Sequence, residues 1–110
     1  MTDTQKALRL WGEQAQEIAL LKITKPRDFL DQLRINDKIE QLEEKFLPLC
    51  RWIEENLKGD DVKFLHLHYI RRCKWAECAA LLHYSVSGLQ NRLNKIIIPK
   101  IKEAKEKGEI

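Results

Sequence analysis

Apolar residues recur every three or four positions along the first quarter of the chain. This spacing is typical of a helix with one buried face. The members of the stripe are Leu8, Trp11, Ala15, Ile18 and Leu21. The pattern predicts a helix from about Thr4 to Ile23, which ends before Pro26 because a residue that precedes proline is pushed away from helical angles.

A second stripe with the same spacing follows and predicts a long amphipathic helix. Its members are Ile35, Ile39, Leu42, Phe46, Leu49, Ile53 and Leu57. Asp37 with Glu40 three residues later resembles a capping box and indicates the start of this helix. Three apolar residues upstream, Phe29, Leu30 and Leu33, indicate a separate short helix. Pro48 lies inside the long helix, where we expect a kink.

The remainder of the chain predicts three more helices and a tail. Asp60 and Asp61 are expected to cap a helix that runs from Val62 to about Arg71, since acids favour the positive end of a helix. A short helix covers 74–82, a turn covers 83–85, and a last helix begins near residue 86. Pro99 either kinks or ends that helix, and 100–107 is read as a solvated tail.

Composition supports an all-α fold in one small domain or a domain with a helical extension. The 110 residues include only four Gly and three Pro, too few for the many tight turns of an all-β fold. We expect a helical bundle of about five or six helices, with an N-terminal helical region over 1–59 and a second region over 60–110. No apolar stretch suggests a membrane span or an export signal, so a cytoplasmic location with reduced cysteines is expected.

Charge is distributed unevenly between these two regions. Residues 1–59 hold ten Lys/Arg and eleven Asp/Glu, a net of −1, whereas 60–110 hold ten Lys/Arg and six Asp/Glu, a net of +4. Between Val62 and Lys102 eight basic residues face one acid, Glu77. A local excess of positive charge suits a polyanion, because each phosphate that is neutralised releases counterions. The alternative is an ordinary solvated helix surface.

The stretch 74–96 meets the requirements of a helix-turn-helix. Ala79 is the small residue needed where two helices cross. His83, four positions later, must adopt a left-handed backbone, which Gly favours and His tolerates. Tyr84 and Leu89 supply the apolar residue after the turn and the anchor inside the second helix. Ser85 offers an N-cap hydroxyl.

The second helix of this motif carries polar side chains opposite its anchors. Asn and Gln can form paired hydrogen bonds to adenine and Arg to guanine, while Lys mainly contacts phosphate. Glu103 is the only acid between Ala79 and Ala104, and this suits a surface next to phosphates. We therefore predict that a DNA site is formed by Arg71, Arg72, Lys74, Ser85, Ser87, Gln90, Asn91, Arg92, Asn94 and Lys95.

The segment from Phe64 to Leu93 resembles the region 4 helix-turn-helix of bacterial sigma factors and of their phage relatives. Phe64, Leu65, Leu67, Tyr69 and Ile70 stand at that family's apolar positions in the supporting helix; matches in the two motif helices are Trp75, Glu77, Cys78, Ala79, Leu82, Ser85, Ser87, Leu89 and Arg92. The resemblance implies a DNA-binding module that reads the major groove.

A second resemblance lies near the N-terminus. The segment LRLWG, Leu8 to Gly12, is similar to the L-x-x-W-G opening of small phage antitermination proteins of the Q type, although Gln14 replaces a tryptophan common in that family. It implies a late-gene regulator that binds double-stranded DNA near a promoter and engages RNA polymerase. Phage late-gene activators of the RinA and ArpU kind share the same tail and remain an alternative, as does a protein-interaction module that inhibits a host complex.

Two kinds of chemical site are considered and rejected. His66, His68, Cys73, Cys78 and His83 suggest zinc, but His66 and His68 point to different sides of a helix and the spacing lacks a C-x-x-C pair. A Cys/His nucleophile would need a third orienting group and a pocket. We therefore predict no enzyme activity, no metal and no cofactor.

The N-terminal region leaves two alternatives open. Its apolar stripes, with Trp11 and Trp52, either pack against the C-terminal region or stay partly exposed to form a homodimer or a polymerase contact. Under the second alternative the expected patch is Leu8, Leu10 and Trp11, because both faces of that turn are apolar.

Overall fold

Residues 2–110, which this computed structural model describes, form helices and no strands. Helices α1 to α6 span Asp3–Ile23, Phe29–Asn56, Gly59–Leu65, Trp75–Leu82, Val86–Arg92 and Ile98–Glu106. A π-helical turn, His66–Ile70, extends α3, and another, Leu93–Ile97, joins α5 to α6. The predicted all-α class is confirmed. Within the described residues, no helix combines the length and the apolar composition needed to cross a membrane.

Helix α1 has the range that its apolar stripe predicts. It begins with a reciprocal cap, in which the Thr2 side chain accepts a hydrogen bond from the Gln5 backbone N–H and the Gln5 side chain accepts one from the Thr2 N–H. Two of the four backbone donors left free at a helix start are thereby satisfied. The helix ends at Ile23, where Thr24 adopts an extended backbone two residues before Pro26.

Helix α2 begins earlier than predicted and is continuous. Asp28 is its N-cap, and the carboxylate accepts a hydrogen bond from the Asp31 N–H at 2.8 Å. The predictions of a separate short helix around Phe29 and of a helix start at Asp37 are therefore wrong. Asp28 is the first capping side chain after the proline, so the helix starts there and passes through the later, equally suitable cap sequence. Pro48 lies inside the 28-residue helix.

Helix α3 also starts before its predicted caps. Lys58 occupies the N-cap position without a side-chain hydrogen bond, and Asp60 and Asp61 lie in the first turn rather than before it. Their charges still favour the helix start, because the free N–H groups there carry partial positive charge. The helix continues beyond Leu65 as the first π-helical turn, which is closed by the Arg71 N–H bonding to the His66 carbonyl.

Proline 99 neither ends the last helix nor leads into a solvated tail. It is the second residue of α6, directly after the π-helical turn Leu93–Ile97, and the helix continues past it to Glu106. Ile101 and Ala104 beyond it are 0% and 2% exposed. The prediction of a solvated tail over 100–107 is wrong, because two of its apolar residues complete the core.

One hydrophobic core joins the N-terminal and C-terminal regions. Helix α1 contributes Leu8 and Trp11 to it. The largest fully buried side chains of the core are Trp11, Phe64, Leu8, Ile53, Leu65, Leu89, Ile97, Ile101 and Cys78. Helix α1 packs against α2, α6 and the first π-helical turn. The N-terminal stripes therefore pack against the C-terminal region, as one of the two alternatives expects.

The packing of Leu8 and Trp11 overturns the predicted exposed patch. These side chains are 0% and 1% exposed, and the Trp11 ring stacks on Phe46 with ring centroids 5.7 Å apart. Leu10 is the only member of the expected patch that is exposed. Apolar residues on both sides of one helical turn do not predict which side meets the core. In α1 the side that carries the stripe with helical spacing meets the core.

Gly12 lets α1 approach the first π-helical turn closely. A Cβ atom at position 12 would overlap the Tyr69 carbonyl oxygen and lie 2.7 Å from the Tyr69 carbonyl carbon. Gln16, one turn later on α1, donates a hydrogen bond to the Ile70 carbonyl at 2.5 Å. Backbone contact and side-chain hydrogen bond together hold the end of α3 against α1. In this chain the W-G pair therefore serves the packing of the helices.

Candidate nucleic-acid interface

Helices α4 and α5 are joined by the three-residue turn that the sequence predicts. His83 has φ 60° and ψ 37°, the left-handed conformation, and its N–H bonds to the Ala79 carbonyl. The Tyr84 N–H bonds to the same carbonyl at 3.0 Å. Ala79 is 6% exposed, which agrees with a small residue at the point where the two helices meet. The left-handed residue that the sequence predicts at His83 is therefore present between α4 and α5.

Ser85 begins α5 as predicted. Its hydroxyl oxygen accepts a hydrogen bond from the Gly88 N–H at 3.0 Å, the interaction that makes Ser a preferred N-cap residue. The Ser87 hydroxyl is exposed and lies 3.4 Å from that of Ser85. Both hydroxyls therefore lie at the exposed start of α5, where backbone N–H groups also favour anions.

The outer face of α5 and of the π-helical turn after it is polar and free. Gln90, Asn91, Asn94 and Lys95 are exposed, whereas the anchors Leu89 and Leu93 are 2% and 4% exposed. Within residues 2–110 these four polar side chains form no hydrogen bond or ion pair, so their donors and acceptors face solvent. We call this set of four residues the reading face. It contains the three amide residues that are predicted to contact bases, together with Lys95, which is expected to contact phosphate.

Arg92 does not join the reading face. Its Nε and Nη2 atoms donate to the two carboxylate oxygens of Asp61 at 2.7 and 2.8 Å. The hydrogen bond to Asp61 raises the pKa of Arg92 further above its usual value. A guanidinium fork already paired with a carboxylate cannot present the same two donors to guanine. The prediction that Arg92 reads DNA is therefore replaced by a structural role.

The start of α3 holds both the turn and α5 in place. The Asp61 side chain is 4% exposed and that of Arg92 is 24% exposed, so their ion pair is largely shielded from water. The Arg92 guanidinium also lies 6.0 Å from the centre of the Tyr84 ring. The Tyr84 hydroxyl donates to Asp60 at 3.2 Å. Two neighbouring acids of α3 thus fix the orientation of the helix that carries the reading face.

Sequence reasoning missed this pair, although a signal was present. Asp61 lies three and four positions before the apolar Phe64 and Leu65. That spacing places the carboxylate on the same face of α3 as two core residues. A buried acid requires a partner, and basic side chains in the neighbouring helices were its candidates.

The three basic residues before α4 lie in different surroundings. Lys74 is exposed at the N-cap position of α4, and its backbone N–H bonds to Glu77 at 3.3 Å. Arg71 lines an apolar groove between α3 and α4. Arg72, with φ 55°, lines a small cleft together with Arg9 of α1. The reading face lies on α5 and the π-helical turn after it, and the structure does not bring Arg72 into that group.

His68 and Cys78 act as packing groups. The His68 ring stacks on Phe64 and lies near Trp75, with ring centroids 5.5 and 4.5 Å apart, and His68 Nδ1 is 3.0 Å from the Cys73 carbonyl. Cys78 is fully buried, and desolvation raises the pKa of its thiol. Among residues 2–110 no three His, Cys, Asp or Glu side chains converge in a way that could hold a metal ion.

The geometry of this surface suits contact with a polyanion. It presents two amide-bearing residue types, hydroxyls at a helix start and lysines, with no acid on α5 or on the turn that follows it. Comparison of the chain with protein-family models, with curated protein sequences and with solved structures finds no match.

Proposed function

We propose that this protein is a sequence-specific DNA-binding protein that inserts α5 into the major groove. The observation that carries the proposal is the reading face, whose polar side chains are exposed and free on a helix anchored by buried leucines. An α-helix with its side chains is about 10–12 Å wide and the major groove about 12 Å, so the two fit.

The residue types of the reading face favour adenine-containing sites. The amide groups of Gln90, Asn91 and Asn94 each offer one donor and one acceptor, the pattern that adenine presents in the major groove. Lys95 at the edge of the face and Lys74 at the start of α4 are expected to contact phosphates, as are the hydroxyls of Ser85 and Ser87. Arg71 and Arg72 are expected to add only general attraction.

Selection of binding sites from random duplex DNA, followed by titration of the selected site, tests the proposal. Asn91→Ala should weaken binding to that site by about 1–3 kcal/mol. Gln41→Ala is the matched control, because Gln41 is an exposed amide on α2, away from the motif. Equal affinity of the two variants for the selected site would contradict the role of Asn91. Failure to enrich any sequence would contradict sequence-specific binding.

The phosphate contacts are tested separately by salt. Lys74→Ala should weaken binding to selected and unrelated sequences alike and lower the slope of log affinity against log salt by about one. A protein-interaction module built on the same helices would show no preferred sequence and no such slope. The same titration therefore separates the two classes of function.

We further propose that the chain regulates bacteriophage transcription in the bacterial cytoplasm, as an antiterminator acting with RNA polymerase. This role is supported by the resemblance to Q-type proteins and to sigma region 4. The Leu8, Trp11 and Gly12 positions of that resemblance are buried in the core, so they support a shared fold more directly than a shared partner. Transcription in vitro past a terminator is the test. If the protein binds DNA but does not increase read-through of the terminator, the antitermination role is contradicted and the role of a late-gene activator remains.

A further inference from the structure

A cleft lies where α1, α2 and α6 meet, and its volume is about 320 Å³. Its floor is apolar and recessed, since Trp11, Leu49 and Ile101 are 1%, 9% and 0% exposed. Side chains buried to this extent can be reached only by a group that enters the cleft. The volume lies at the lower end of the range found for small-molecule sites.

Gln14 of α1 brings an amide without a partner to this cleft. The residue is 7% exposed and lines the cleft, and within residues 2–110 its side chain forms no hydrogen bond. Among these residues Trp11 Nε1, which lies close to the Cys50 thiol, is the only fully enclosed side-chain nitrogen or oxygen without a partner. The Gln14 amide therefore remains accessible from the cleft that the residue lines. A buried polar group is costly to leave unpaired, so this amide calls for a polar group on a bound molecule.

Two lysines stand at the rim of the cleft. Lys45 of α2 and Lys105 of α6 line it and are exposed. Within residues 2–110 no acidic side chain lines the cleft, and Glu44 and Glu106, next to the lysines in the sequence, are not part of its wall. No carboxylate in this part of the chain, that of Ile110 included, lies within 4.0 Å of either ammonium group. The charge that the wall offers to a ligand is therefore positive.

We propose that this cleft binds a small molecule with an apolar body and a carboxylate head group. The apolar body lies on the floor, and the Gln14 amide donates a hydrogen bond to the carboxylate. Lys45 and Lys105 neutralise the head group at the rim. The volume equals that of about ten water molecules at roughly 30 Å³ each, enough for an indole ring or a medium-length alkyl chain. The inference is independent of DNA binding.

Isothermal titration calorimetry of the full chain tests the site with indole-3-acetate and decanoate as probes, each compared with its neutral amide. At least one of the two carboxylates should bind in a one-to-one complex with a Kd of about 1 mM or below. Its amide, which has the same size without the charge, should bind at least about threefold more weakly. The absence of saturable binding by both carboxylates, or equal affinity of the acid that binds and its amide, would overturn the proposal.

Variants of the wall locate the probe. Ala7 lines the cleft, so Ala7→Phe should abolish binding by placing a ring in the space that the ligand needs. Ala80→Phe is the matched control, because Ala80 is exposed on α4, outside the cleft, and should bind as wild type does. Replacement of both rim lysines by methionine should remove the preference for the acid over its amide. Lys38→Met/Lys100→Met, on the same two helices but outside the cleft, should keep that preference. Unchanged binding by Ala7→Phe would place the probe elsewhere and refute the assignment.

Gln14→Leu separates a role in binding from a role in the fold. The amide has no partner in the free protein, so leucine should leave the midpoint of urea unfolding unchanged or raise it. The same variant should bind the carboxylate at least about threefold more weakly, since a hydrogen bond to a charged group is lost. A lower midpoint with unchanged binding would show that the amide serves the fold and contradict its part in the site. Circular dichroism of each variant checks that the helices remain folded.

Discussion

The ion pair between Asp61 and Arg92 connects the supporting helix α3 to the helix that carries the reading face, and its removal is the most direct test of this structure. Asp61→Ala would leave a guanidinium without its carboxylate, and Arg92→Ala would leave a carboxylate whose side chain is 4% exposed without any charge partner. Each single substitution therefore exposes the cost of an unpaired charge in a site that water barely reaches.

The expected magnitude follows from the burial of the two groups. Removing one partner of a buried pair costs about 3–5 kcal/mol. Asp61 meets that condition, while Arg92 at 24% exposure is partly hydrated, so the lower half of the range is expected for Asp61→Ala. Removing both side chains leaves no unpaired charge. The double variant should therefore be less destabilised than the sum of the two single variants, by at least about 1 kcal/mol.

Urea unfolding followed by circular dichroism measures all four proteins of this cycle. The exposed pair between Lys107 and Glu103, at 2.8 Å and with both side chains more than 60% exposed, is the control. Glu103→Ala should change the free energy of unfolding far less than Asp61→Ala does, because water screens this exposed pair. Additive effects of Asp61→Ala and Arg92→Ala would show that the two side chains do not act as a pair. Arg92 would then again be available for DNA.

Three further predictions concern stability and reactivity. Gly12→Ala should destabilise the protein by about 1–3 kcal/mol in urea unfolding, because the added Cβ overlaps backbone that a side-chain rotation cannot move; an unchanged midpoint would contradict the close approach. His83→Gly should raise the midpoint, by about 1 kcal/mol in free energy, since Gly accepts φ 60° without strain; a lower midpoint would show that the His side chain matters more than the backbone. Burial raises the pKa of the Cys50 and Cys78 thiols above the usual 9.0, so near pH 8 iodoacetamide should modify the half-buried Cys73 first. The free energy of unfolding should fall as the pH rises above about 9, because there the two thiols ionise freely only in the unfolded chain. Equal labelling rates for the three thiols, or stability that stays constant above that pH, would contradict this burial.

The turn between α4 and α5 was predictable from residues close together in the sequence. A left-handed position at His83, a capping Ser85 and a buried Leu89 each follow from a local rule on backbone or side chain. The stripe of α1 was predictable for the same reason, since one helical period describes all its members. Local rules hold here because the features they predict are satisfied within a turn or two of helix.

Features that depend on distant residues were not predictable in this way. Asp28 and Asp37 offer equivalent caps, and the choice between them depends on whether the chain after Pro26 is already helical. Arg92 is of a residue type that can contact guanine, and only the position of α3 shows that its guanidinium is already paired with Asp61. The burial of Ile101 depends on α1 packing against α6. In each case the deciding partner lies on another element.

The second π-helical turn sets the angular position of the reading face relative to the rest of the protein. Leu89, Leu93, Ile97 and Ile101 are buried at strict intervals of four, a spacing that drifts around a regular α-helix of 3.6 residues per turn. The wider turn over Leu93–Ile97 takes up this drift, so both ends of the Val86–Glu106 rod keep their apolar side inward. Deletion of Ile96, which lies in this turn but outside the reading face, would rotate α5 by about 100° about its own axis. The amides would then be turned away from any groove, although every residue of the face is still present.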